Sequence, residues 1–151
     1  MILKVYLDSS VLGGLFDDEF KESTKKLFQE FEKGLYQPVI SNLTEEKISK
    51  APKEIIFEFN KLKRKSVFLI LNKEAINLAE EYRNAGNLPN RMNMDTLHIA
   101  LASINKIDIL VSWNFRDIVN LRRILVYNSV NIKFGLKEIE IRSPKEILHV
   151  E

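Results

Sequence analysis

The chain has 151 residues, with 23 basic and 21 acidic side chains, a formal net charge of +2, 45% hydrophobic residues and no cysteine. These values are typical of a globular domain that forms its own core, and they exclude disulfides and thiolate metal sites. The balanced charge does not predict a broad nucleic-acid-binding surface, and we interpret the local basic runs at 61–65 and 122–123 as solvated.

The chain shows no repeat, low-complexity tract or linker, so we expect one domain over residues 1–151. No apolar run approaches the roughly 20 residues that are needed to cross a bilayer, and we expect no membrane partner. The absence of cysteine suits a cytoplasmic location.

Strand-like apolar runs alternate with helical periods in the first half of the chain. Strands are predicted at 2–7, 37–41 and 66–71, and amphipathic helices at about 18–33, at 42–51 and around 55–62. Gly34 is predicted to end the first of these helices. Asn42, followed by Glu45 three residues later, predicts a capping box at the start of the second.

The second half continues this alternation. A helix ending near Gly86 is followed by a polar loop, a helix from Asp95, a strand at 107–113, a helix at about 117–127 and an edge strand at 137–144. Ser143 and Pro144 then predict a short capped helix. Strands that alternate with helices predict an α/β sandwich with a mostly parallel sheet.

Oxygen-bearing side chains occupy the positions where two of these strands end. Asp8 follows the first strand, and Ser112 and Asn114 follow the strand that begins at Ile107. In an open parallel sheet, ligands bind beyond the carboxyl ends of the strands, so we expect these positions to be neighbours. Asp95, at the start of a helix, suits either a first-turn acid or an acid pointed into the same cleft.

Asp8, Asp95 and Asn114 together offer the oxygen ligands that Mg²⁺ and Mn²⁺ prefer. Such an ion could activate water for in-line attack on a phosphodiester. No Ser-His-Asp or Cys-His arrangement competes with this interpretation, and Gly13-Gly14 lacks the following Lys-Ser/Thr of a phosphate-binding loop.

Four segments, YLDSSVLGGLF, VISNLTEEKI, MDTLHIALA and ILVSWNF, occur in an order and spacing that resemble the PIN-domain family of metal-dependent ribonucleases. The resemblance covers almost the whole chain. It implies a PIN-like three-layer sandwich, an acidic cleft that holds Mg²⁺ or Mn²⁺, and cleavage of single-stranded RNA. It further implies a toxin-like component, a possible antitoxin partner and a possible homodimer.

Site residues are carried over position by position from the resemblance. Asp8 matches the first acid, Asp95 the third and Asn114 the fourth position, which makes these three the predicted metal ligands and catalytic residues. Ser9 or Ser10, together with Ser112, match the small polar neighbours of the site.

The second acid departs from the pattern, because Lys47 stands where the family has glutamate. Glu46 precedes it and lies about 100° away on a helix, so it is a candidate catalytic acid only if the helix starts differently. A cation at Lys47 would compete with a metal ion, and we expect weaker Mg²⁺ or Mn²⁺ binding than at a four-acid site.

Two further side chains near the motifs could belong to the site. His98 follows Asp95 by three residues, which places both on one helix face, and its apolar neighbours favour a packed histidine or a supporting role over a metal ligand. Asp117 could cap a helix or act as a distant acid behind the cleft.

Two alternatives to a PIN-type ribonuclease are considered. Lys47 favours a PIN-fold module that binds RNA or protein with cleavage weakened or lost. The segment LDSSV also suggests the acceptor loop of a haloacid-dehalogenase-like phosphatase, but Ser10 replaces the second aspartate that such enzymes carry, which ranks this alternative low.

Overall fold

The sheet of the computed structural model, which describes residues 1–150, contains parallel strand pairs throughout. Within these residues it has five strands in the order β3-β2-β1-β4-β5. The strands are β1 (Lys4–Leu7), β2 (Gln37–Ser41), β3 (Val67–Leu69), β4 (Ile109–Val111) and β5 (Glu140–Arg142). The predicted parallel α/β architecture is confirmed, and β5 lies at an edge of the sheet as its alternating sequence predicts.

Helices connect the strands and cover both faces of the sheet. They are α1 (Ser9–Gly14), α2 (Lys21–Glu32), α3 (Asn42–Ile48), α4 (Lys53–Lys63), α5 (Lys73–Gly86), α6 (Asn93–Ile104) and α7 (Leu121–Lys133), with 3-10 turns at Asn90–Met92 and Pro144–Ile147. No helix in residues 1–150 is long and apolar enough to cross a membrane.

The central strand β1 sends alternate side chains into two cores. Tyr6 packs with side chains of α5, α6 and α7 on one face. Val5 and Leu7 pack on the other face with Leu27 of α2 and Phe59 of α4. This alternation follows from the two-residue period of a strand, and it yields the predicted three-layer sandwich.

Several local predictions are confirmed by the backbone. Gly34 has a φ of +74° directly after the last turn of α2, as expected of a glycine that ends a helix. Ser143 and Glu146 form the predicted capping box, with Pro144 in the first turn.

The predicted capping box at Asn42 is wrong, because Ser41 occupies the N-cap position of α3. The Asn42 Oδ1 atom instead accepts a hydrogen bond from the backbone N–H of Leu71, at 2.9 Å. Glu45 pairs with Lys63 on α4 rather than with its own helix end. Contacts with a neighbouring strand end and helix thus take both side chains away from the cap.

Two helix starts also differ from the prediction. Helix α6 begins at Asn93, so Asp95 is a first-turn acid and not the residue that opens the helix. Helix α7 spans Leu121–Lys133 instead of 117–127, because Asn120 caps it by accepting a hydrogen bond from the backbone N–H of Arg123. Asp117 is therefore not a helix cap.

Candidate active site

The candidate site lies at the point where the strand order reverses. The chain builds β2 and β3 on one side of β1 and then crosses to add β4 and β5 on the other side. Because Leu7 of β1 pairs with Val111 of β4, the next residues, Asp8 and Ser112, emerge side by side at the carboxyl edge. Such a reversal opens a crevice that is the usual ligand site of this sheet type.

Asp8 is buried and is held by two hydroxyl groups. Ser10 donates a hydrogen bond to its Oδ1 atom at 2.6 Å, and Ser112 donates to its Oδ2 atom at 2.7 Å. Burial raises the pKa of this carboxyl above its ordinary value, and the two hydroxyl donors partly offset that rise. No cation forms an ion pair with Asp8 within residues 1–150, so its carboxyl group is available to a cationic ligand.

The two serines are fixed by the backbone of the segment that follows β4. The Ser10 Oγ atom accepts from the backbone N–H of Trp113 at 2.9 Å, and the Ser112 Oγ atom accepts from that of Asn114 at 3.0 Å. Each hydroxyl proton is thereby directed at Asp8. Ser10 makes this contact, whereas Ser9 only lines the cavity.

Asp95 approaches from the first turn of α6, with Asn114 beside it. The Asn114 amide nitrogen lies 3.5 Å from Asp95 Oδ2, and its Oδ1 accepts hydrogen bonds from the backbone N–H groups of Arg116 and Asp117. A carbonyl oxygen has two lone pairs, so these two donors occupy it. In this arrangement Asn114 orients Asp95, and a ligand role of its own would require the amide to leave that turn.

The carboxyl of Asp95 titrates well above an ordinary aspartate. Its partial burial raises the pKa to about 6, and the negative charges of Asp8 and Asp117 act in the same direction. Lys47 and Arg116 oppose this rise. A bound cation would relieve the repulsion between these carboxylates, which is the electrostatic condition that favours cation binding.

Lys47, and not Glu46, faces the cleft. The cavity has a volume of about 360 Å³, and its walls include Asp8, Ser9, Lys47, Arg91, Asp95, His98 and Asn114. Glu46 is exposed and does not line this cavity. The structure therefore places an ammonium group where the resemblance leads one to expect the second carboxylate.

His98 lies beneath the cleft as a buried, hydrogen-bonded side chain. Its Nδ1 atom is 2.6 Å from the Tyr6 hydroxyl, which also contacts Ser41 Oγ at 2.7 Å. Burial, reinforced by the charge of Lys47, lowers the pKa of His98 to about 4. The imidazole is thus neutral near neutral pH, and the tyrosine links it to the strand that carries Ser41.

A cluster of ion pairs around the buried Asp117, which the sequence does not reveal, lies behind the cleft. Asp117 is 2% exposed and accepts from Arg91 Nη2 at 3.1 Å and Nε at 3.3 Å, and from Arg116 Nε at 3.2 Å. Arg123 lies at 4.0 Å. Arg91 comes from a polar loop with no motif, and only its position before Asp95 could have drawn attention to it.

The carboxylate content of the site is low. Within residues 1–150, no group of three or more histidine, cysteine, aspartate or glutamate side chains is arranged to hold a metal ion. This agrees with Lys47 and Asn114 standing where the resemblance leads one to expect acids.

No family model matches the sequence, and no curated protein matches it significantly. Solved structures do match. A chain of VapBC2 from Rickettsia felis, bound to a DNA fragment from its promoter, aligns with a TM-score of 0.60 at 12% identity, over 93% of this chain and 98% of that one.

Two further structures align similarly. A toxin–antitoxin complex from Klebsiella pneumoniae gives a TM-score of 0.57 at 17% identity, over 75% of this chain and 88% of that one. VapC20 from Mycobacterium tuberculosis, described as a toxin that cleaves the sarcin-ricin loop, gives 0.58 at 10% identity, over 90% and 98%. Identities this low establish the fold alone, and the chain has the PIN-domain fold that its four sequence segments predict.

Proposed function

We propose that this chain is a PIN-type ribonuclease that hydrolyses phosphodiester bonds of single-stranded RNA with the help of Mg²⁺ or Mn²⁺. One observation carries the proposal: Asp8 and Asp95 converge with Asn114 in a single cavity at the strand reversal of a PIN fold. Two carboxylates that line one cavity are suited to bind a hard divalent ion.

The residues present fit Mg²⁺ or Mn²⁺, although they supply fewer carboxylate ligands than a four-acid site. Magnesium commonly binds through one or two carboxylates, several waters and the phosphates of its substrate, so Asp8 and Asp95 suffice as protein ligands. Burial is the main cause of the raised pKa of Asp95, and the negative charges of Asp8 and Asp117 add to it; a bound ion would offset that second contribution. An ion held there would supply Lewis-acid stabilisation of the charge that develops on the phosphate during hydrolysis.

The surrounding side chains give the two carboxylates fixed positions. Ser10 and Ser112 hold Asp8 through both of its oxygens, and Asn114 orients Asp95. The two serine contacts, at 2.6 and 2.7 Å, restrict the Asp8 carboxyl more tightly than the 3.5 Å contact of Asn114 restricts Asp95. Such supporting contacts orient the ligands of a metal site and tune its affinity and activity.

A toxin role and an antitoxin partner form part of the same proposal. The supporting observation is that the matched structures include toxin–antitoxin complexes and one RNA-cleaving toxin. Co-expression with the product of the neighbouring gene in its own genome should yield a complex in which RNA cleavage is inhibited.

A homodimer is also proposed, and sedimentation velocity of the purified chain measures it.

The cleavage test compares the wild type with Asp8→Asn on single-stranded RNA in the presence of Mn²⁺. We expect Asp8→Asn to lower the cleavage rate by about 100-fold or more, because one of two carboxylate ligands is lost. Asp18→Asn is the matched control, since the Asp18 side chain is fully exposed and lies away from the cleft. Cleavage at an equal rate in Asp8→Asn would refute the proposal.

A PIN-fold module that binds RNA without cleaving it is the second candidate. The observation that favours it is Lys47, a basic residue that lines the same cavity as Asp8 and Asp95. This candidate predicts that the wild type binds RNA but shows no cleavage that depends on Asp8 and Mn²⁺, so the same assay separates the two.

A further inference from the structure

Two cationic side chains line the cavity that holds the carboxylates. Lys47 comes from α3 and Arg91 from the 3-10 turn before α6, so they reach the cleft from separate elements. Lys47 forms no ion pair with any partner in residues 1–150, unlike Lys63 on the next helix, which pairs with Glu45. Its positive charge acts within the cleft, where it lowers the pKa of both Asp95 and His98.

Arg91 is held in place from behind. Two of its guanidinium nitrogens, Nε and Nη2, donate to the buried carboxylate of Asp117, and the side chain remains 44% exposed. The Nη1 group makes no hydrogen bond within the described part of the chain. Because Asp117 also contacts Arg116 and approaches Arg123, one carboxylate faces three guanidinium groups, and the cluster keeps a positive charge.

These contacts distinguish Arg91 from a solvated arginine. A guanidinium fixed by two hydrogen bonds loses little freedom when its remaining N–H groups bind an anion. A phosphate is the anion to which a fixed guanidinium and a free ammonium are both suited.

We propose that Lys47 and Arg91 bind a backbone phosphate of single-stranded RNA at the mouth of the cleft, so that the chain holds RNA even when no metal ion is present. The inference rests on the proposed function, because it takes RNA as the ligand of this cleft. Two carboxylates alone would repel a phosphate, and the two cations offset that repulsion. Lys47 thereby replaces the missing acid with a group that binds the substrate.

The test measures binding of a fluorescein-labelled oligouridylate by anisotropy in EDTA, over a range of salt concentrations. We expect Lys47→Gln to weaken binding about tenfold, because a charge-assisted contact is lost. The slope of log affinity against log salt should fall by about 0.7, the value for one phosphate contact on a single strand. Lys47→Arg, which keeps the charge, should retain most of the affinity.

Lys50→Gln is the matched control, since Lys50 is exposed just beyond α3 and does not line the cavity. It should change neither the affinity nor the slope. An oligothymidylate probe should show the same Lys47 effect, because phosphate contacts do not read the sugar. Arg91→Lys tests the second cation while keeping a positive charge next to Asp117, and it should weaken binding through loss of the fixed geometry.

The inference fails if Lys47→Gln binds like the wild type, or if Lys50→Gln weakens binding as much. It also fails if the wild type does not bind the probe in EDTA. These outcomes are independent of cleavage. Lys47-dependent binding without any Mn²⁺-dependent cleavage would uphold this inference and refute the hydrolase, and the reverse pattern would refute this inference alone.

Discussion

Two buried aspartates lie near the same edge of the sheet and have opposite surroundings. Asp8 is 5% exposed, accepts hydrogen bonds from the hydroxyl groups of Ser10 and Ser112, and has no ion-pair partner among residues 1–150. Asp117 is 2% exposed and faces three arginines. Burial alone therefore does not tell which aspartate serves a ligand. The partners decide, because three arginines already surround Asp117, whereas Asp8 has no cationic partner among residues 1–150 and can accept a bound cation in that place.

The comparison predicts its largest effect for Asp117→Asn. The substitution leaves three guanidinium groups without their common partner, and we expect a loss of about 2 to 3 kcal/mol in the free energy of unfolding. Urea unfolding followed by circular dichroism measures it. Asp18→Asn, at a fully exposed site, should stay within about 0.5 kcal/mol of the wild type. An equal effect in both variants would mean that the arginine cluster does not stabilise the fold.

Lys47→Glu converts the cleft toward a site with three acids. We expect it to bind Mn²⁺ about tenfold more tightly than the wild type, because a repelling charge becomes an attracting one. Calorimetric titration of the metal-free protein measures this affinity. Lys50→Glu makes the same charge change outside the cleft and should alter the affinity far less. Equal affinities in the wild type and Lys47→Glu would show that Lys47 does not compete with the metal.

Asp95 predicts a pH dependence of stability in EDTA. Its pKa of about 6 in the folded chain exceeds the ordinary 3.8, so the folded state binds the proton more tightly. The resulting stability is complete below about pH 4 and is lost as the pH rises through about 6. Between these pH values, the free energy of unfolding of the wild type should therefore fall by about 1 kcal/mol relative to that of Asp95→Asn. This figure allows for solvent screening, because the Asp95 carboxyl is partly exposed.

Unfolding curves of the wild type and of Asp95→Asn, measured across this range, test the slope. A difference between the two proteins that does not change with pH would contradict the raised pKa of Asp95.

Asp8→Asn should have the smallest effect on stability and the opposite sign to Asp117→Asn. Burial without a cationic partner raises the pKa of Asp8, so its ionised form contributes little to stability near neutral pH. In EDTA, we expect the free energy of unfolding of Asp8→Asn to equal that of the wild type or to exceed it by up to about 0.5 kcal/mol. A loss as large as that of Asp117→Asn would show that the two aspartates do not differ as described.

Much of the fold follows from local sequence patterns. The strand and helix alternation, the glycine after α2 and the capping box at Ser143 depend on residues close in sequence, and the structure confirms them. The Asn42 cap and the start of α7 were predicted wrongly. Asn42 takes a partner far away in the sequence, the backbone N–H of Leu71. Helix α7 starts later than predicted because Asn120 caps it, and Asp117 instead pairs with Arg91.

For the candidate site as well, some features follow from the sequence and others only from the tertiary structure. The sequence by itself determined the residue types, their places at strand and helix ends, and the presence of Lys47 in the position of an expected acid. Only the tertiary structure decided that Lys47 faces the cleft while Glu46 does not, that Ser10 rather than Ser9 holds Asp8, and that Asp117 secures Arg91. Side-chain direction and ion pairing depend on which elements pack together, and short-range patterns do not encode that packing.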